Sequence, residues 1–279
     1  AYWFTFFILF SNFIPISLYV TIEIINMGQA FFIREDIEMY DESQDVPAAT
    51  RTSNMNGDLG QIEYIFSDKT GTLTCNIMNF RKMSVGGISY GLGITEIGKA
   101  SWKLKGKEIP VDVLQGEAEA QKRSVPHVSF YCPDYDKLME SRGAKHDEMQ
   151  LFFRLLAMCH DVIPEHSDGV IKLSASNPDD EALVAAAEYF GWQFKDREDG
   201  KIVLHSREDG ELKIELLETI KFTSKRKRMS VVIRETDGSI RLLIKGADTA
   251  IVPRVKEGQD ALLKTTVGHM EQYSEEGLR

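Results

Sequence analysis

The first 22 residues, AYWFTFFILFSNFIPISLYVTI, contain no charged side chain. They also lack the basic n-region and small-residue cleavage site of a secretory leader, and the apolar character continues past Pro15 to Ile33. Cysteine is scarce. Cys75, Cys132 and Cys159 are widely spaced, which excludes a disulfide framework and a cysteine zinc site and fits a reducing cytosol. Positive charge is in deficit as well, with 33 Lys and Arg against 43 Asp and Glu, a formal net charge of −10. Bulk electrostatic attraction to nucleic acid is therefore not expected. There is no internal repeat and no low-complexity tract. The chain starts at Ala1 and stops at YSEEGLR, so it reads as part of a longer protein.

What is present begins with a membrane segment. Twenty apolar residues at about 1.5 Å each cover about 30 Å, the thickness of a bilayer core. A buried core helix would pass the same test of length. Asn12, Pro15 and Ser17 decide against it, because proline removes a backbone donor and breaks the helix midway. Broken backbone at membrane depth is tolerated where it lines a cavity or packs on protein, and discontinuous helices mark substrate sites in transporters.

Polar chain follows. REDIEMYDESQDVPAATRTSN reads as an exit into a solvated linker, and QIEYIF then predicts a short buried strand ending at Asp68. Ligands of α/β folds gather beyond the carboxyl ends of such strands. Residues 84–143 show no clear period, and much of 113–145 reads as flexible. DEMQLFFRLLAMCHDV (147–162) predicts an amphipathic helix. NPDDEALVAAAEYFGW (177–192) predicts another, with Asn177 as cap and Pro178 in the first turn. Asp-Gly pairs at 199–200, 209–210 and 237–238 separate alternating runs such as KIVLHS and SIRLLIKG. These are hairpin signals, and they predict an antiparallel sheet with helices in the last third.

The sharpest feature is DKTGTLT (68–74). A carboxylate at the end of a strand can attack phosphate and become an aspartyl-phosphate. The developing charge needs a cation, hydroxyls and backbone donors nearby, which Lys69, Thr70 and the tight turn at Gly71 can supply.

DKTGTLT resembles the phosphorylation motif of P-type ATPases. PISL (15–18), YIFSDKTGTLTCN, PDDEALV, FTSKRKRMSVV, IKGAD and EEGLR follow in the order and rough spacing of the phospholipid-transporting (type IV) members. The resemblance covers most of the chain and is weakest over 95–145. It implies a membrane helix (1–33) broken near Pro15, and a stalk or linker with the first part of a Rossmann-like, haloacid-dehalogenase-type phosphorylation domain (34–85). An α+β nucleotide-binding domain (86–279) built on an antiparallel sheet would follow. Residues after about 33 would lie in the cytosol. The implied activity is ATP-driven movement of phospholipid to the cytoplasmic leaflet. Mg²⁺ would be the cofactor, and most relatives pair with a glycosylated β-subunit.

Residue by residue, the resemblance makes Asp68 the phosphorylated group. Lys69 and Thr70 would contact phosphate, with Asp68 and Thr70 also on Mg²⁺. Phe222 would stack on adenine, with Ser224 and Lys227 nearby. Lys245 would line the adenine pocket, and Arg279 would reach toward the phosphates. The family's Pro-Asp-Glu contact falls on Asp180, where this chain has PDDE, so Glu181 could take the role by a one-residue shift. Asn12 and Ile16, at the break, are candidates for the lipid path.

Four other readings compete with this one. GITEIGKAS (93–101) nearly fits a phosphate loop through Gly93, Gly98 and Lys99, but Ala100 stands where a hydroxyl is needed and no apolar strand precedes it. A phosphatase using the same aspartate would carry a second Asp where Thr70 stands. A cation pump needs oxygen ligands at the helix break, and IPISL offers no acid before Glu23. A non-catalytic nucleotide-binding module is the fourth, since the chain by itself is expected to bind nucleotide weakly and not to turn over.

Overall fold

The structure is a computed structural model that describes residues 2–11, 13, 15–42, 44–53, 55–167, 170–174 and 177–279, and of 165–167 and 170–173 the backbone alone. Asn12 lies outside the described residues. The chain divides into two compact units, Ala1–Leu73 and Thr74–Arg279.

The first unit opens with α1 (Tyr2–Ser11) and α2 (Ile16–Arg34). The run Tyr2–Arg34 is long and apolar enough to cross a membrane. None of its described residues is buried: Trp3 is 71% exposed and Phe31 61%. Pro15, at φ −79° and ψ 68°, is the N-cap of α2 and makes no side-chain cap bond. Its ring cannot donate, yet its carbonyl accepts from Leu18 N (2.9 Å) and Tyr19 N (3.3 Å), so the second helix starts where the first is interrupted. Beyond α2, a single turn α3 (Asn56–Leu59) leans back on it, with Asn56 Nδ2 donating to Gln29 Oε1 at 3.3 Å.

The strand expected to end at Asp68 does not form. Residues 62–68 have no ladder partner among the described residues, and Tyr64, Ile65 and Phe66 are 78%, 85% and 96% exposed. An apolar alternation makes a strand only where neighbouring strands take its backbone groups and a core takes its side chains. Among the described residues neither is present around this stretch.

The second unit begins with a small hairpin, β1 (Met83–Val85) and β2 (Ile88–Tyr90). Four helices follow: α4 (Glu96–Leu104), α5 (Val111–Lys122), α6 (Pro133–Ser141) and α7 (Ala144–Met158). The stretch read as flexible thus contains α6 and most of α5. Periodicity missed α5 because the residues it buries are Gly116, Glu117 and Ala120. Gly116 lets the helix lie on Leu92, where a Cβ would come within 2.5 Å of the Leu92 side chain. Glu117 is buried against Arg81 and accepts from Ile94 N (3.1 Å) and Gln121 Nε2 (3.1 Å).

α7 ends earlier than expected. His160 stops it, donating from Nε2 to Ala157 O (2.9 Å) and accepting Val162 N at Nδ1 (3.1 Å). A second hairpin, β3 (Ile163–Ser167) and β4 (Val170–Ser174), leads to α8 (Pro178–Tyr189). The Asn177 side chain caps α8 by accepting Asp179 N at 3.1 Å, as its position before Pro178 predicts.

The main sheet is the expected antiparallel meander, β5 (Trp192–Glu198), β6 (Lys201–Ser206), β7 (Gly210–Ile220), β8 (Arg228–Arg234) and β9 (Ile240–Gly246), in that order. Glu198 pairs with Lys201 across Asp199-Gly200, whose φ values of 48° and 71° are those of a two-residue type I′ turn. After β9 come the single turn α9 (Asp248–Ile251) and α10 (Asp260–Glu275). α7 and α8 cover the inner face of the sheet at β5. At the centre of the core Phe153 and Phe190 stack at 4.2 Å, with Phe130 and Tyr135 edge-on to Phe190 at 4.9 Å each.

Candidate functional site

The candidate residues fall in two places, one in each unit. In the first, Asp68, Lys69 and Thr70 stand exposed on a turn. Leu73 N donates to Lys69 O (3.0 Å), and Gly71 has φ +78° with open space where a Cβ would be. The turn therefore depends on its glycine for backbone sign and not for room. It leaves the Asp68 carboxylate open to solvent, accessible as a nucleophile has to be.

In the second unit, the link between β7 and β8 carries Phe222, Ser224 and Lys227. Phe222 is 57% exposed, an unusual place for a phenylalanine, and Ser224 and Lys227 are exposed too. The link is braced from within by Arg226, which donates to Lys221 O (3.0 Å), Ile220 O (3.3 Å) and Ser230 Oγ (3.3 Å). Lys227 adopts φ +51°, and its carbonyl accepts Ala247 N at 3.0 Å, which ties the link to the end of β9. Gly246 makes this approach possible: a Cβ there would meet Lys227 O at 2.5 Å and Arg228 Cα at 2.7 Å.

One residue before Gly246, Lys245 forms an ion pair with Asp180 in the first turn of α8. The other Asp180 oxygen accepts Asp161 N at 3.2 Å. Asp180 is 9% exposed, so two partners share a buried carboxylate. Glu181 turns elsewhere, to within 3.6 Å of His127 Nε2. Of the two acids left open by PDDE, Asp180 is the one beside Lys245. Arg279 reaches the same helix end, with Nη1 3.3 Å from both carboxylate oxygens of Asp179.

Sequence reading missed part of this surroundings. Lys225, Arg226, Lys227 and Arg228 line one cleft with Thr249, Ala250 and Arg254. Arg228 has its pKa lowered by loss of solvation and then by the charges of Arg254 and Arg226. The run KRKR is visible in sequence, but nothing in VPRV marks Arg254 as its neighbour. Behind the Asp180–Lys245 pair, burial pushes the Cys159 thiol up to about 11, which leaves it protonated and inert. The phosphate-loop rival finds no support: Lys99 lies on α4 and pairs with Glu96 at 2.7 Å.

An exposed aromatic ring, a lysine held by a carboxylate and a cationic cleft suit a flat base carrying phosphates. Comparison with known proteins agrees. The profile of the P-type ATPase cytoplasmic domain N matches residues 148–279, which include α8, the sheet and the cleft. Full-length similarity extends this to the rest. Phospholipid-transporting ATPase 10 of Arabidopsis thaliana is 41% identical over 100% of this chain and 24% of its own length.

The chain belongs to the P-type ATPases.

Phospholipid-transporting ATPase DRS2 of Saccharomyces cerevisiae is 41% identical over 99% of the chain and 19% of its own length. Phospholipid-transporting ATPase ID of Homo sapiens is 38% identical over 100% and 22%. The chain thus spans about a quarter of the length of the curated relatives it matches. The mixed α/β second unit with its antiparallel sheet is that of a P-type nucleotide-binding domain, and the similarity throughout is to the phospholipid-transporting branch.

Proposed function

We propose that this P-type ATPase uses ATP to move phospholipid from the exoplasmic to the cytoplasmic leaflet. Asp68 would be the group phosphorylated. The observation that carries the reading is the pairing, on one chain, of the exposed DKTGTLT turn with a domain N whose relatives are phospholipid-transporting along the whole match.

Phe222 would stack on the base, with Ser224 beside it and the Asp180–Lys245 pair fixing the base's polar edge. Lys227 and Arg279 would meet the phosphates. An Asp68 carboxylate oxygen attacks the γ-phosphorus, the bond to the β–γ bridging oxygen breaks, and ADP leaves. Lys69 and Thr70 offset charge on the transferred group. Asp68 and Thr70 present hard oxygen donors, the kind Mg²⁺ takes, and the ion would neutralise phosphate charge when bound. Residues 34–85 would then be stalk and the first part of a Rossmann-like phosphorylation domain. In that setting the 62–68 stretch pairs as a strand.

Ile16, at the start of α2 and 65% exposed, would border the lipid path where Pro15 interrupts the helix. A glycosylated β-subunit is the expected partner, and a membrane with the second unit on its cytosolic side the expected location.

The test is phosphoenzyme formation from γ-labelled ATP in the full-length protein, with Asp68→Asn as the variant that should not label. Decay accelerated by one phospholipid headgroup class and indifferent to simple cations is the expected result. Acceleration by a cation with lipids inert would make the protein an ion pump.

A further inference from the structure

α10 fully buries no residue, though Leu263 and Val267 are half-buried, and a polar stripe ties it to its neighbours. His269, Tyr273 and Glu276 recur at steps of four and three, which puts them on one helical face. That face meets the β1–β2 hairpin. His269 Nδ1 is 2.8 Å from Ser84 Oγ, and the Tyr273 hydroxyl donates to Met83 O (2.9 Å) and accepts from Ser89 Oγ (2.5 Å). At the end of the stripe Lys82 Nζ donates to both carboxylate oxygens of Glu276, at 2.7 and 2.6 Å. The Lys82 and Glu276 side chains are only 11% and 20% exposed, so this pair is shielded from screening as most surface pairs are not. The Thr95 hydroxyl donates to the Glu276 carbonyl as well.

Glu276 is the C-cap of α10, and everything beyond it is a tight reversal. Gly277, at φ +75°, packs where a Cβ would lie 2.8 Å from Ile97, and Leu278 N returns to Tyr273 O at 2.9 Å. Arg279 emerges from this turn, its side chain 74% exposed and set against Asp179. Lys82, immediately before β1 and 194 positions earlier in the sequence, thus holds the residue from which the turn to Arg279 departs.

We propose that Lys82 is a positioning residue: through Glu276 it fixes the Gly277–Arg279 turn, and with it the place from which Arg279 meets nucleotide phosphates. Lys82 itself touches no nucleotide. The inference rests on the nucleotide-binding reading given above, and deepens it by adding a residue that no phosphate-contact motif contains. It separates two halves of the ligand, since the base is held from the β7–β8 link and β9 while Arg279 is held from the hairpin.

The test compares the affinities of the chain for ATP and for adenosine, in wild type, Lys82→Met, Arg279→Ala and the double variant. Lys82→Met should weaken ATP by roughly tenfold, the worth of one charge-assisted hydrogen bond, and leave adenosine unchanged. It should add nothing in the Arg279→Ala background, and the reversed pair Lys82→Glu with Glu276→Lys should restore ATP affinity. Equal losses for ATP and adenosine would mean that the lock is merely structural, and unchanged ATP affinity or additive losses would also overturn the proposal. If the wild type binds neither ligand, or binds both equally, the nucleotide-binding reading itself fails.

Discussion

Acidification from pH 7 to pH 5 should strain the second unit at one buried ring. His160 is fully buried beneath the Asp180–Lys245 pair, edge-on to Phe194 with centroids 4.5 Å apart. Its Nε2 donates to Ala157 O and its Nδ1 accepts from Val162 N, so both nitrogens are used in the neutral form. A proton on Nδ1 would point at the Val162 N–H. Burial, and then the Arg197 guanidinium, lower its pKa to about 3. The unfolded imidazole titrates near 6.5. Between those values the unfolded chain binds one proton more than the folded chain, so stability rises with pH and is lost as pH falls below 6.5. At pH 5 the loss is about 1.5 pKa units, or ~2 kcal/mol. His160→Gln keeps a donor and an acceptor on the side chain but cannot titrate. Urea unfolding of the detergent-solubilised chain at pH 7 and pH 5, followed by fluorescence to which buried Trp192 contributes, compares the two. The wild type should lose ~2 kcal/mol more than the variant on acidification. Carboxylates and the other histidines titrate equally in both and cancel. Identical pH dependence in the two proteins would refute the assignment of His160 as a buried neutral ring.

Other outcomes follow from packing. Phe153→Ala removes a fully buried ring stacked on Phe190, and should cost about 3–5 kcal/mol in the same urea assay. Phe222→Ala removes a ring that is 57% exposed, so stability should stay within ~0.5 kcal/mol while nucleotide affinity, measured by calorimetry, falls severalfold. Gly246→Ala places a methyl 2.5 Å from Lys227 O, and should both lower the urea midpoint and weaken nucleotide binding by parting β9 from the β7–β8 link.

The parts of the fold legible in sequence were those whose signals are local. The Asn177-Pro178 cap and the Asp-Gly turns need only neighbouring residues, and α8 and the sheet stand where they predict. The 62–68 strand failed for the opposite reason, since its ladder partners have to come from elsewhere. α5 was illegible because it docks through a glycine, a salt-bridged glutamate and an alanine, which carry little hydrophobic period. Motif residues of the candidate site were found by resemblance, and the geometry adds what motifs omit. Gly246 is needed for space and Arg226 as an internal brace, while Arg254 is brought in by the fold from beyond α9.

The charge distribution has a consequence of its own. A chain with a net charge of −10 would repel a polyphosphate if its charge were spread evenly. It is not spread evenly: Lys225, Arg226, Lys227, Arg228 and Arg254 share one cleft, whereas Lys245 nearby is already paired with Asp180. At physiological salt fields decay over about 8 Å, so an anion approaching this face would sense these cations before the distant acids. The cluster crowds like charges: the Arg228 pKa, lowered first by loss of solvation, is lowered further by Arg254 and Arg226. A bound polyphosphate relieves that repulsion, whereas the same crowding does nothing for an uncharged nucleoside. Rising salt should therefore weaken ATP binding much more than adenosine binding, and the difference isolates the contribution of the cleft from that of Phe222 and Lys245.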